Sequence, residues 1–360
     1  MYSTSTQKRE YTFASATVIA DLRRQANERF RMKYESVLEP GEEDVFLTPQ
    51  EESTLRSIVT ETGVRFAEDF KPAMWHSVLW TAFAYFKRFY LKHSIMEYSP
   101  KSVMMGCFYL AAKVDEFNLS IDEFVSNLRS GTPKSNAETI LSMEPEIMLK
   151  LNYHLTVHCP FRPFEGHLLE MKTRSLLGFD LEQVRPHASD FFKKALFGDA
   201  MLLYPPSQIA LAALKYALQK LGIYLRDTSL LTLSLKSKRT QSNANVMDSR
   251  LLLMLNMQKL LTFEKDDNLI KDHFLYKLLE VDTWKPNSTE ITLCEKLIAR
   301  LDEIITCVVS SAVPVTKKDS AALQKRMQRW ITSCPDLDQR LQAKANPNAL
   351  DVQNVNSDED

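Results

Sequence analysis

The chain has few glycines and few cysteines for its 360 residues, and neither residue type forms a nucleotide-binding or metal-binding pattern. The eight glycines form neither a G-x-G-x-x-G nor a G-x-x-x-x-G-K-S/T motif, which excludes the common phosphate-binding loops. No C-x-x-C occurs, so zinc ribbons and thioredoxin-like redox sites are excluded as well. Five widely spaced cysteines, an odd number, indicate a reduced, intracellular protein, and they are Cys107, Cys159, Cys294, Cys307 and Cys334.

Two further absences narrow the range of partners. The formal net charge is −1, so the chain lacks the overall basic field on which nucleic-acid binding depends. The N-terminus, MYSTSTQKREYTF, lacks the apolar core of a signal peptide, and the most buried-looking stretch, VMMGCFYLAAKV, is too short to span a membrane. We therefore expect a soluble protein that binds neither nucleic acid directly nor a membrane.

The apolar residues that are present recur with helical periodicity, and no convincing run of alternating strand residues occurs. Thr48 followed by Pro49 indicates an N-cap with proline at the first helical position. From that point the pattern predicts five helices, at about 49–67, 74–92, 99–116, 120–129 and 137–153. The sequence therefore predicts an all-α fold.

An additional amphipathic helix is predicted before these five. The segment ATVIADLRRQANERFRMKY has apolar residues at a spacing of four, which places them on one face of a helix. We expect this face to pack against the rest of the protein, and its residues are Val18, Leu22, Ala26 and Phe30.

Toward the C-terminus the pattern changes. The stretch near 235–265 begins with a polar, loop-like run that carries a weak basic cluster. Helices are predicted beyond it, at 289–312 and at 319–332. Residues 335–360 have the composition of a disordered acidic tail.

Two segments of the chain resemble each other. YSPKSVMMGCFYLAAKV and YPPSQIALAALKYALQKLG both begin with a proline cap and continue as an apolar helix that contains small residues. Aligning Pro100 with Pro206 pairs Val103 with Ile209, Gly106 with Ala212, Cys107 with Ala213 and Ala111 with Ala217. This similarity suggests a duplicated helical domain, and the small residues would let neighbouring helices approach closely.

Two opposite charges lie on core-facing helices. Lys113 is the one charge in VMMGCFYLAAKV, and Glu144 shares a helical face with Ile140 and Ile147. Burying a charge without a partner costs several kcal/mol of folding free energy, so each of the two residues is expected to pair with the other. One interpretation is a salt bridge that sets helix register. The other is a polar pair at the edge of a groove, with donors and acceptors left for a partner chain.

The other chemically suggestive residues carry less weight. Lys87 and Arg88 fall off the apolar stripe of their helix and are expected to face solvent. His154 and His158 have an i, i+4 spacing, but the segment runs into β-branched residues and a proline and supplies no third ligand. The carboxylates of Asp115 and its neighbour Glu116 diverge by about 100° around a helix end, which does not suit acid–base catalysis. The sequence predicts no enzyme, no metal and no cofactor.

Long segments of the chain resemble the cyclin family. AYFKRFYLKHSIMEYSP and FYLAAKVDEF are similar to the second and third helices of a cyclin box, and LSMEPEIMLKLNYHL is similar to the fifth. FKPAM, RPFEGHLLEMKTR and LLYPPSQIALAAL resemble the members that serve the CDK-activating kinase. The resemblance runs from about residue 10 to residue 230 and resumes near KPNSTEITLCEKL.

The resemblance implies a cyclin fold with two tandem five-helix repeats flanked by N- and C-terminal helices. The implied boundaries are an N-terminal extension with one amphipathic helix at 1–48, a first repeat at 49–158, a second repeat at 159–283 with an insertion near 235–265, C-terminal helices at 284–334 and an acidic tail at 335–360.

It also implies a function. Cyclins are non-catalytic subunits that bind and activate cyclin-dependent serine/threonine kinases. The CDK-activating kinase phosphorylates activation loops of other such kinases and, within TFIIH, the C-terminal repeats of RNA polymerase II. The implied partners are thus a kinase catalytic subunit, a RING-finger assembly factor and the TFIIH core, in the nucleus. In the family a lysine of the third helix and a glutamate of the fifth hydrogen-bond to the kinase backbone, and Lys113 and Glu144 match those positions.

Two alternatives keep the fold. One is another transcriptional cyclin, and the other is a DNA- and protein-binding relative of transcription factor IIB, although that family has a zinc ribbon and a basic face. One of the departures from the family pattern lies beside Glu144. Pro145 directly follows Glu144 and is expected to kink the fifth helix and to shift Glu144.

Overall fold

A computed structural model of the protein describes residues 2–174, 180–222 and 288–345. Within these ranges the regular structure is helical throughout, and no helix there is long and apolar enough to cross a bilayer. The α-helices are α1 Thr6–Glu10, α2 Ala16–Met32, α3 Pro49–Asp69, α4 His76–Phe89, α5 Pro100–Val114, α6 Ile121–Ser126, α7 Pro133–Lys150, α8 Phe161–Arg174, α9 Val184–Ala195, α10 Ala200–Leu203, α11 Pro206–Lys220, α12 Ser288–Ser311 and α13 Lys317–Ala345.

The chain divides into two compact units. The first contains the described residues of Met1–Cys159, Lys193–Pro205 and Ser310–Asp360, and the second those of Pro160–Phe192 and Pro206–Val309. The five helices predicted from residue 49 onward are α3 to α7 of the first unit. The insertion expected near 235–265 lies outside the described residues.

Helix α5 lies at the centre of the first unit and packs against α4, α7 and α3. Its residues from Val103 to Ala112 are all buried, including Cys107, as expected for a small core residue. Gly106 sets the distance to α7, because a Cβ atom there would lie 2.7 Å from Ile147 Cδ1 and 3.1 Å from Met143 Cβ. The missing side chain therefore lets the two helices approach more closely than any other residue would allow.

The start of α3 follows the sequence prediction. The Thr48 hydroxyl accepts a hydrogen bond from the Glu51 backbone N–H, and the Glu51 carboxylate accepts one from the Thr48 backbone N–H. This reciprocal arrangement satisfies two of the donors that a helix start leaves unpaired, and Pro49 occupies the first helical position, where no donor is needed.

The buried face of α2 differs from the predicted one. Ile19, Ala26 and Phe30 are buried, whereas Val18 is 41% exposed. The face is rotated because it includes a polar residue: the buried Asn27 donates a hydrogen bond from Nδ2 to the Leu47 carbonyl, 2.9 Å away. Counting apolar residues alone could not predict that Asn27 is buried. A buried polar group is tolerated when it has a hydrogen-bond partner.

A bidentate ion pair also fastens α2. Arg23 donates from both terminal nitrogens to the two carboxylate oxygens of Asp199, each at 2.7 Å, and both side chains are largely buried. Burial on its own would raise the pKa of Asp199, but the positive charge and hydrogen bonds of Arg23 lower it to about 2.

Helix α13 is longer than predicted and extends to Ala345, so the first part of the expected acidic tail is helical. Trp330 is buried, donates a hydrogen bond from Nε1 to the Met96 carbonyl at 3.1 Å, and packs against the ring of Phe30. Beyond Pro335, the carboxylate of Asp338 accepts a hydrogen bond from a tyrosine hydroxyl of the first unit. These tertiary contacts stabilise the helix on both sides of Pro335, which lies inside it.

The second unit contains the counterpart of α5. Helix α11 also begins with a proline, also has 15 residues, and packs against α8. The residues that match the buried positions of α5 are buried in α11 as well, and they are Ile209, Ala212, Ala213 and Ala217. The similarity seen in the sequence thus corresponds to equivalent burial in the two helices.

Candidate functional site

The structure brings together the two charged residues that the sequence singled out. The Lys113 ammonium donates to both carboxylate oxygens of Glu144, at 2.7 Å and 2.8 Å. The Lys113 side chain is 46% exposed and the Glu144 side chain 12% exposed. The pair therefore joins α5 to α7 at the protein surface rather than inside the core.

The end of α5 orients Lys113. Its ammonium lies 4.6 Å from the ring centroid of Tyr109, one turn earlier on the same helix, in a cation–π contact. Glu116 adopts a left-handed conformation (φ 57°), and the Phe117 backbone N–H bonds back to the Ala112 carbonyl at 2.8 Å. This end structure stops the helix just beyond Lys113, where a cation also interacts favourably with the helix dipole.

Exposed apolar side chains lie on the same two helices. Exposed apolar side chains on two adjoining helices supply apolar area that a partner could remove from water. The exposed fractions are 38% for Val114, 46% for Leu141, 54% for Leu149 and 65% for Tyr153, which directly follows α7. An ion pair accompanied by apolar side chains has the composition of a protein–protein interface.

Pro145 does not separate the pair. Helix α7 continues from Pro133 to Lys150 with Pro145 inside it, and Glu144 keeps both contacts to Lys113. Proline has no N–H to donate to the Leu141 carbonyl, but Leu141 lies at the surface, where water can bond to that carbonyl. The expected shift of Glu144 therefore does not break its interaction with Lys113.

The prediction for Lys87 and Arg88 was wrong, because both side chains are buried. The Arg88 guanidinium donates to the His154 carbonyl at 3.1 Å and lies 4.4 Å from the ring centroid of Tyr11. Burial lowers the pKa of Arg88 to about 10. A signal was present in the sequence, since Trp80 lies seven residues before Lys87 and therefore on the same helical face.

His158 and Asp115, which the sequence analysis considered as candidate site residues, contact other side chains of the fold. The His158 ring packs edge-on against Tyr2, and burial lowers its pKa. Burial also raises the pKa of Asp115, which accepts a hydrogen bond from the Thr81 hydroxyl at 3.4 Å. In the part of the chain that the structure describes, no group of three His, Cys, Asp or Glu side chains could hold a metal ion.

Comparison with known proteins places this chain in a family. Residues 31–156 match the cyclin N-terminal domain and residues 159–308 the cyclin C-terminal domain. Cyclin-H of Xenopus laevis is 38% identical over 262 residues, which cover 72% of this chain and 81% of that protein.

Two solved complexes have a similar fold. A chain of the yeast TFIIK (Kin28/Ccl1/Tfb3) complex gives a TM-score of 0.55 at 19% identity, over 85% of this chain and 100% of that one. A chain of the Chaetomium thermophilum CAK complex bound to ATP-γ-S gives 0.56 at 22% identity, over 100% of this chain and 97% of that one. With both of its domains matched and an extended similarity to a Cyclin-H, the chain belongs to the cyclin family.

Proposed function

We propose that this protein is a cyclin H-type regulatory subunit, which binds and activates the catalytic subunit of a CDK-activating kinase. The observation that carries the proposal is the Lys113–Glu144 pair, held at the surface by α5 and α7 and accompanied by exposed apolar side chains. The 38% identity to Cyclin-H of Xenopus laevis supports the choice within the family. The cyclin domain matches favour kinase regulation over the transcription factor IIB-like alternative.

The pair suits recognition of a kinase backbone. An ammonium has three donors, and Lys113 uses two contacts on Glu144, so one donor is left. The Glu144 carboxylate likewise keeps acceptor capacity. The remaining donor and acceptor can bond to a carbonyl and an N–H of the partner, while the exposed apolar side chains are removed from water.

Activation would follow from differential binding. A kinase whose C helix is swung out cannot form the Lys–Glu ion pair that positions its nucleotide phosphates. A rigid helical surface that binds only the swung-in state shifts the population toward that state. Helices α5 and α7 supply such rigidity, because they pack closely at Gly106, two turns before Lys113, against the residues on either side of Glu144.

The wider setting belongs to the same proposal. The kinase assembly would phosphorylate activation loops of other cyclin-dependent kinases and, within TFIIH, the C-terminal repeats of RNA polymerase II. A RING-finger assembly factor and the TFIIH core would be further partners, and the protein would act in the nucleus without catalytic activity of its own. The similarity to Cyclin-H and the fold shared with TFIIK and CAK chains support this setting.

The test begins with the full chain purified together with its endogenous kinase, which mass spectrometry then identifies. Affinity and kinase activation are next measured for Lys113→Ala and Glu144→Ala. Truncating an interface residue on which binding depends costs about 1–2 kcal/mol, so each variant should bind about five- to thirtyfold more weakly. Thermal stability should change little in Glu144→Ala, since the remaining Lys113 side chain is 46% exposed and water can solvate its charge. Lys113→Ala should lose more stability, because the remaining Glu144 side chain is only 12% exposed.

Lys101→Ala is the matched control, because Lys101 is an exposed lysine at the opposite end of α5. It should bind and activate the kinase as the unmodified protein does. The proposal fails if both single variants melt at a much lower temperature, the Lys113→Ala/Glu144→Ala double variant regains the melting temperature of the unmodified protein, and the kinase affinity per folded molecule is unchanged. The pair would then only brace α5 against α7. The proposal also fails if no cyclin-dependent kinase co-purifies.

A further inference from the structure

A groove of about 520 Å³ lies on the first unit, between the C-terminal end of α2 and the segment that follows it. None of its lining residues belongs to α5 or α7, so it is a different surface from the one proposed for the kinase. Its lining residues, which define what we name the acidic groove, are Glu28, Arg31, Met32, Glu35, Leu38, Glu39, Pro40, Glu43 and Phe46.

The acidic groove carries an excess of negative charge, because four glutamates and one arginine line it. Two of the glutamates have basic neighbours: Glu28 pairs with Arg24 at 3.1 Å, and Glu39 lies 3.9 Å from Arg340. For Glu35 and Glu43, the described part of the chain shows no ion pair. The groove therefore offers at least two carboxylates to a positively charged ligand.

An apolar surface accompanies these charges. Met32 is 68% exposed, one of the highest values among the large apolar side chains of the described residues. Leu38 and Pro40 contribute further apolar surface, and Phe46 is buried with the Arg31 guanidinium carbon 5.6 Å from its ring centroid. The flexible, polarisable side chain of methionine adapts readily to different apolar partners.

Hydrogen bonds to α13 hold in place the segment between α2 and α3 that forms one side of the acidic groove. Arg340 donates to Glu42 at 2.9 Å, and Arg326 donates to the Phe46 carbonyl at 2.8 Å. The Tyr34 hydroxyl donates to Asp338 at 2.8 Å. These bonds hold the segment between α2 and α3 in place, so a ligand would not have to bear the entropic cost of ordering it.

We propose that the acidic groove binds a basic, amphipathic segment of another protein. Lysine or arginine side chains of that segment would meet Glu35 and Glu43, and a bulky apolar side chain would cover Met32 and Leu38. Charge complementarity selects this partner, because nucleic acid and acidic peptides would be repelled by the same carboxylates.

The test uses the full chain and two fluorescent peptides in an anisotropy titration. The first peptide alternates leucine pairs with lysines, and the second has glutamate in place of every lysine. The lysine peptide should bind, with an affinity that falls as salt rises, and the glutamate peptide should not. Glu35→Lys/Glu43→Lys should weaken binding of the lysine peptide by about tenfold or more, because attraction becomes repulsion at two positions. Met32→Ser should weaken it without changing its salt dependence.

Glu10→Lys/Asp122→Lys is the matched control, since it changes the net charge equally at exposed positions outside the groove and outside α5 and α7. It should bind the lysine peptide about as tightly as the unmodified chain, and all variants should retain kinase binding. A photoreactive leucine in the peptide should label the 28–46 segment. Equal weakening by the groove and control pairs would show non-specific attraction and overturn the proposal, as would labelling elsewhere. Because kinase binding is measured separately, failure here is distinguishable from failure of the proposed function.

Discussion

The contact between α5 and α7 can be tested by adding a single methyl group at Gly106. The Cβ atom of Gly106→Ala would lie 2.7 Å from Ile147 Cδ1 and 3.1 Å from Met143 Cβ. The first distance is far below van der Waals contact, so either the Ile147 side chain or the α7 backbone must move. Glu144 lies between the two contacted residues, so a movement of α7 would displace Glu144 from Lys113.

Two opposing effects decide the stability of this variant. Alanine favours a helix over glycine by about 1 kcal/mol, whereas overpacking a core costs about 1–3 kcal/mol. We therefore expect Gly106→Ala to lower the free energy of unfolding by up to about 2 kcal/mol. Ile147→Val removes the Cδ1 atom and by itself costs about 0.5–1.5 kcal/mol. In the double variant the new methyl group has room, so the total loss should be smaller than the sum by about 1 kcal/mol or more.

The measurement is urea unfolding of all four members of the cycle, with kinase affinity measured in parallel. Gly166→Ala is the matched control, because Gly166 lies in helix α8 and a Cβ atom there has no neighbour within 4 Å. It should be neutral or stabilising by up to about 1 kcal/mol. Additive effects in the cycle would refute the reasoning, and so would a Gly106→Ala variant that is stabilised as the control is.

Two further predictions concern other parts of the first unit. The Tyr11 hydroxyl donates to the Leu151 carbonyl at 3.2 Å, and its ring covers Arg88. In urea unfolding, Tyr11→Phe should lower the free energy of unfolding by about 1 kcal/mol and Tyr11→Ala by about 3–5 kcal/mol. Equal losses in the two variants would contradict a role for the ring. The pKa of Asp199 in the folded state is about 2, below its ordinary value of 3.8. Its ion pair should therefore contribute about 2 kcal/mol to the free energy of unfolding above pH 5, and this contribution should be lost as the pH falls toward 2. The stability difference between the unmodified chain and Asp199→Asn should therefore shrink across that range, and a constant difference would contradict the assignment.

The helices and the charge pair could be predicted because they depend on local patterns. Proline or a capping residue marks the starts of α3, α5 and α11, and apolar residues at helical spacing mark their buried faces. The partnership of Lys113 with Glu144 followed from the cost of leaving either charge alone on a core-facing helix. Their role toward a kinase came from the resemblance and remains a prediction.

The errors arose where tertiary contacts reverse a local preference. Lys87 and Arg88 were expected in solvent because they fall off the apolar stripe of their helix, yet an aromatic ring and a carbonyl stabilise Arg88 in the core. Helix α13 continues past Pro335 because Trp330 and Asp338 bind residues far away in the sequence. In each case the partner lies more than sixty residues away, beyond the reach of a pattern that considers neighbours only.

Gly106 shows most clearly why the geometry of the candidate site could not be predicted in full. The sequence marked this position as small, which allowed a close approach of helices, but it did not identify the helix that approaches. The structure shows that the approaching residues are Met143 and Ile147, on either side of Glu144. This close approach of α5 and α7 lies two turns before Lys113, whose ammonium contacts Glu144 at 2.7 Å and 2.8 Å. Gly106, on the same face of α5 as Lys113 and two turns before it, therefore permits the approach of α7 on which the surface proposed for kinase recognition depends.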